Sequence, residues 1–142
     1  MSIAIIMHDP LDGTLEHHRP MWEDLMAAFN IPHIYKVGGD QVKGFVQFGP
    51  EHKLPEKTVC VMTPAEAVAA GVNCFDLVEY SHPEECTYVF GTEDGERGWH
   101  NSFVGPDVDC VSIQTPSPTD LYAFMAATIV MSHRFGLING GN

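Results

Sequence analysis

The sequence predicts a single α/β domain, residues 1–142, on a mainly parallel sheet. Three observations carry that expectation. Short apolar runs of strand length recur at Ile3–Met7, Thr58–Met62, Tyr88–Phe90 and Asp109–Ile113. Strands buried on both faces of a parallel sheet read this way, without strict alternation. Segments of helical period lie between such runs, the strand–helix order of an α/β fold. Finally, two of the strands run straight into Gly- or Pro-bearing loops, at Gly91 and at Pro116. Two such loops at the carboxyl ends of strands make a place for a small ligand in an open α/β sheet.

The elements follow in order. Ile3–Met7 is the first strand, and His8–Arg19 reads as a polar loop. A helix starts at Pro20, a favoured first-turn residue, with Glu23 and Asp24 near its positive end. Trp22, Leu25, Met26 and Phe29 form its apolar stripe, and Asn30 and Pro32 end it. His33–Val37 is a short strand closed by Gly38 and Gly39; Phe45–Phe48 and Thr58–Met62 are further strands. Thr63-Pro64-Ala65-Glu66 is a capping box, so Pro64–Ala70 is a short helix stopped by Gly71. Phe75–Val78 reads as a strand or edge segment, and Tyr88–Phe90 and Asp109–Ile113 as the last two strands. Thr119 or Asp120 caps a last helix that runs to about His133 and ends at Gly136. That helix is apolar nearly all round and needs cover on more than one side. No internal repeat, linker or low-complexity block interrupts the order.

Composition narrows the function classes. With 142 residues, the chain suits one domain with a real core. No apolar run approaches a membrane span, and Ser2–Met7 lacks the basic start of a secretory signal, so a cytoplasmic protein without membrane contact is expected. Cys60, Cys74, Cys86 and Cys110 have long, irregular gaps, which suits reduced thiols rather than a zinc site. Seven basic against nineteen acidic residues give a net charge of −12, which argues against a broad polyanion-binding surface. The net-positive stretch is residues 36–57, with Lys36, Lys43, Lys53 and Lys57. A basic footprint for RNA must therefore be local or shared across subunits.

The motifs carry a more specific reading. Phe90-Gly91-Thr92-Glu93-Asp94-Gly95 follows an apolar strand. Ile113-Gln114-Thr115-Pro116-Ser117-Pro118-Thr119-Asp120-Leu121 follows another and leads into the apolar helix. Near the start, His8-Asp9-Pro10 follows a strand, with Arg19 further on and Ala28-Phe29-Asn30 ending a helix. This order and spacing resembles the three motifs of the SPOUT superfamily methyltransferases, in particular their SpoU-like, TrmH-type branch. The resemblance implies a C-terminal trefoil knot, a homodimer and S-adenosylmethionine as cofactor. It implies an RNA substrate, tRNA or rRNA rather than DNA, methylated on the ribose 2′-oxygen. By position, the cofactor would be held by Phe90, Gly91, Glu93, Ile113, Thr115 and Leu121. The first motif is divergent. Its Asn has no counterpart, Asp24 stands where the family carries its Arg, and Arg19 is left as the candidate catalytic arginine.

Two other readings stay open. One is a SPOUT-like protein that has lost catalysis and keeps a binding or assembly role. The other starts from Asp9-Pro10-Leu11-Asp12-Gly13-Thr14, which is similar to the metal motif of inositol-monophosphatase-like enzymes. Two carboxylates flanking a carbonyl can bind Mg²⁺ for phosphate hydrolysis, although the same residues also make an ordinary polar turn. His17, His18 and His100 are candidate general bases, since imidazole titrates near neutrality. Trp99 is a candidate cleft residue or a plain packing residue.

Overall fold

A computed structural model describes residues 3–8, 13–91, 107–116, 121 and 123–137. Its strands are β1 (Ile3–His8), β2 (Ile34–Val37), β3 (Val46–Gln47), β4 (Thr58–Met62), β5 (Phe75–Asp76), β6 (Cys86–Phe90) and β7 (Val108–Ser112). The helices are α1 (Thr14–His17), α2 (Arg19–Phe29), α3 (Pro64–Ala70) and α4 (Ala123–Arg134), with a 3₁₀ turn at Leu77–Glu79. The strands form one sheet in the order β3-β2-β1-β6-β4-β7-β5. Every pairing in it is parallel. The mainly parallel sheet expected from the apolar runs is present. The segments on which the expected knot depends, residues 92–106 and 117–120, lie outside the described residues.

Side chains alternate across the sheet, as the strand period requires. Ile5, Met7, Val59, Val61, Cys86, Tyr88, Phe90 and Val111 share one core with Trp22, Leu25, Ala127, Val130 and Met131 of α2 and α4. Ile6, Cys60, Met62 and Val89 form a second core on the opposite face, packed by Tyr35, Phe48 and Leu54. All five residues of β6 are buried. This strand enters late in the chain yet sits at the centre of the sheet, between β1 and β4.

The helices depart from expectation at their starts. A short helix, α1, forms within the expected polar loop, because Leu15 inserts into the core. Helix α2 begins at Arg19, one residue early, so Arg19 is a helical residue rather than a loop residue. Its end is as expected. Asn30 takes the left-handed conformation at φ 55°, and the Ile31 N–H donates to the Met26 carbonyl at 2.9 Å. The α3 capping box closes in both directions: the Glu66 N–H donates to Thr63 Oγ1 at 3.1 Å, and the Thr63 N–H to Glu66 Oε1 at 3.0 Å. Helix α4 packs on the sheet and stacks Phe135 on Phe29, ring centroids 5.5 Å apart. Met125, Phe135 and Leu137 stay exposed, so cover on its outer side is incomplete among the described residues. The expected caps Thr119 and Asp120 lie outside them.

A polar latch ties the end of α4 to the start of β6. Arg134 donates to the carbonyls of Pro83 at 2.6 Å and Glu84 at 2.7 Å, and to Tyr88 Oη at 2.8 Å. Tyr88 Oη also lies 2.8 Å from His82 Nδ1, and His82 Nε2 lies 2.7 Å from His133 Nδ1. Arg134 has only donors, so the hydroxyl of Tyr88 is free to donate to His82, and His82 Nε2–H to His133. Burial, then the neighbouring His133 and Arg134, pushes His82 down from 6.5 to about 4. The unfolded chain therefore takes a proton near pH 6.5 that the folded chain refuses until about pH 4. His82 should make no contribution to pH dependence above that window, and stability should fall as pH falls through it. Denaturant titrations of wild type and His82→Gln across this range measure the difference: the wild-type curve should fall more steeply.

Candidate functional site

Three adjacent strands end at one level and make a cleft. Val61 of β4 is the register partner of Phe90 of β6, and Met62 that of Ser112 of β7. The residues that follow, Thr63, Gly91 and Ile113, therefore leave the sheet side by side. The cleft between them is lined by Val61, Met62, Phe90, Gly91 and Ile113, by Thr63 and Glu66 at the start of α3, and by Leu121, Ala123 and Ala126. About 430 Å³ of space lies between these residues, most of it open to solvent. This is the crevice at the carboxyl ends of parallel strands where open α/β sheets take ligands.

Among the described residues the lining is mostly apolar, with one ionisable side chain, Glu66. One of its oxygens is fixed by the Thr63 N–H. Gly91 has no Cβ, so a ligand can approach the backbone directly at the end of β6. Flat or aliphatic ligand surface suits Phe90, Ile113 and Leu121, and a cationic group suits the carboxylate. Of the groups in S-adenosylmethionine, the cofactor that the sequence resemblance implies, the adenine ring suits the apolar side chains and the sulfonium suits Glu66.

Four of the six residues expected to hold a cofactor meet here: Phe90, Gly91, Ile113 and Leu121. Thr115 is half-buried just beyond β7 and does not line the cleft. Glu93 lies outside the described residues, as do Asp9, Asp12, Trp99 and His100. Among the described residues, no group of three His, Cys, Asp or Glu side chains is placed to hold a metal ion. Arg19 does not line the cleft. Its aliphatic chain lies against the turn at Gly44, where an added Cβ would meet the Arg19 Cδ at 2.8 Å. Its Nε is buried without a hydrogen-bond partner among the described residues. The adjacent His18 ring packs 5.0 Å from Phe124, which follows the cleft residue Ala123. Thr63 and Glu66 were legible only as a helix cap. Their position after β4 was the available signal, but the neighbours of β4 were not.

The basic stretch at 36–57 contributes less positive surface than its composition suggests. Lys36 is fully buried, with Nζ bonded to the carbonyls of Gly38 and Asp40 and to Gln47 Oε1. Lys57 pairs with Asp107 at 2.8 Å and Asp109 at 3.2 Å. Lys43 and Lys53 remain exposed.

No protein-family model and no curated sequence matches the chain. A solved structure shares the fold. It comes from Porphyromonas gingivalis and is described as a candidate RNA methyltransferase of the TrmH family. The TM-score is 0.60 at 14% identity, with 92% of this chain and 58% of that chain covered. The chain thus spans little more than half the length of that protein, and at this identity the likeness is one of fold. The all-parallel sheet accords with a SPOUT-like fold, and none of the described helices is long and apolar enough to cross a membrane.

Proposed function

We propose that the chain is a SPOUT-type RNA methyltransferase that holds S-adenosylmethionine in the cleft between β4, β6 and β7. The observation that carries the reading is the convergence of Phe90, Gly91, Ile113 and Leu121 on one crevice. The fold shared with a TrmH-family structure supports it. In this reading the bound cofactor supplies an electrophilic methyl group, the ribose 2′-oxygen of tRNA or rRNA receives it, and the C-terminal segment closes a trefoil knot. Glu93 and Thr115 complete the cofactor seat. Glu66 sets the charge preference of the cleft. Arg19, at the first turn of α2, positions the substrate oxygen or an adjoining phosphate. The working unit is a cytoplasmic homodimer that covers Met125, Phe135 and Leu137, the apolar groups exposed on and after α4.

A second reading is a SPOUT-like protein that binds the cofactor without transferring its methyl group. The engagement of Lys36, Lys57 and Arg134 by groups of the chain itself favours it, because little free positive charge remains for a polyanion among the described residues. Incubation with methyl-labelled cofactor and total RNA separates the two. Transfer is expected to put label into RNA and to stop in Arg19→Ala, with cofactor binding retained. Binding without label in any RNA, from wild-type protein, would leave the second reading standing and remove the first.

A further inference from the structure

A row of three thiols crosses the sheet behind the cleft. Cys60 of β4 and Cys110 of β7 are register partners. Val111 pairs with Phe75, which sets Cys74, the residue before β5, beside Cys110 on its other side. All three belong to the second core, with Ile6, Met62 and Val89. Cys60 is fully buried, whereas Cys74 and Cys110 are half-buried and reachable. The two half-buried thiols thus adjoin each other on one face of the sheet. Cys86 stands apart, in the first core. All four are free thiols.

We propose that Cys74 and Cys110 are a dithiol modification site, which a peroxide closes to a disulfide that ties the edge strand β5 to β7. The thiolate of Cys110 attacks one peroxide oxygen. The O–O bond breaks, the departing hydroxide leaves as water after taking a proton, and Cys110 becomes a sulfenic acid. The Cys74 sulfur then attacks the Cys110 sulfur, the S–O bond breaks, and the released hydroxide takes the Cys74 proton to leave as a second water. Two thiols lose two electrons, and one peroxide gains them.

Cys74 rather than Cys60 is the partner for two reasons. It is half-buried where Cys60 is fully buried, and it precedes β5, where backbone adjusts more freely than inside the β4–β7 ladder. Directly adjoining strand positions fall within the Cα separation that a disulfide spans. Burial pushes the Cys74 thiol up to about 11 and raises Cys110 as well. The reaction is therefore slow at neutral pH and accelerates as pH rises, because the thiolate is the nucleophile. Strand β5 has two paired residues, Phe75 and Asp76, so the bond would fasten the least anchored end of the sheet, next to the strand that leads to Ile113.

The test treats the full, folded chain with hydrogen peroxide, alkylates the remaining thiols and digests with a Glu-specific protease. Cleavage after Glu66 and Glu79 parts Cys60 from Cys74, and cleavage after Glu96 isolates Cys110. Mass spectrometry is expected to find peptide 67–79 joined to peptide 97–142, two hydrogens short of their sum. The link should be lost in Cys74→Ser and in Cys110→Ser and kept in Cys86→Ser. On wild-type protein, a link from Cys60 to Cys110 would overturn the assignment. So would peroxide oxidation that leaves Cys74 and Cys110 unlinked, whether as free thiols or as higher acids.

Discussion

Gly91→Val is expected to weaken binding of S-adenosylhomocysteine by well over tenfold, about 1.4 kcal/mol or more. Gly91 directly follows Phe90, which the ladder pins to Met7 on one side and Val61 on the other. The end of β6 cannot retreat, so a branched side chain at Gly91 occupies the cleft itself. Isothermal titration of the variant, with circular dichroism to show that it is folded, reads the effect. Unchanged affinity would place the ligand elsewhere. Glu66→Gln is the companion variant. Glutamine keeps the cap on Thr63 and removes the charge. Affinity for the sulfonium cofactor should fall about twofold to fivefold, more than for the uncharged thioether product, as for a partly exposed ion pair of up to ~1 kcal/mol.

Arg134→Ala should lower folding stability by about 1.5–3 kcal/mol, since its bonds to Pro83, Glu84 and Tyr88 come from a charged donor and one of the acceptors it leaves, Tyr88 Oη, belongs to a buried side chain. Tyr88 is fully buried, and without Arg134 its oxygen loses a donor that water cannot readily replace. Lys57→Ala is the contrast. Its partners Asp107 and Asp109 lie at the sheet's surface, and its loss should cost no more than ~1 kcal/mol. Urea unfolding of both variants measures the two. Equal losses would mean that the latch is an ordinary surface contact.

The strands were legible because strands buried on both faces are written as apolar runs, and the capping box and Asn30 marked helix ends by local chemistry alone. The order of the strands was not legible. Nothing in Cys86-Thr87-Tyr88-Val89-Phe90 states that it enters between β1 and β4, and that insertion is what brings Gly91 to Ile113 and Glu66. Two further misreadings have the same origin. Leu15 alone could not announce α1 in a polar stretch, and Lys36 carried no sign that its charge would be buried. The glycine and proline loops were found because loop chemistry is local. The α3 side of the cleft was missed because it depends on pairing between distant segments.

The proposed seat of S-adenosylmethionine is the crevice at Phe90, Gly91, Ile113 and Leu121. The direct measurement is calorimetric titration of the wild-type chain with S-adenosylhomocysteine, supported by a rise in melting temperature with ligand concentration, as mass action requires. Saturable binding is expected, weakened by well over tenfold in Gly91→Val. Absence of heat at millimolar ligand, with the melting temperature unmoved, would contradict it.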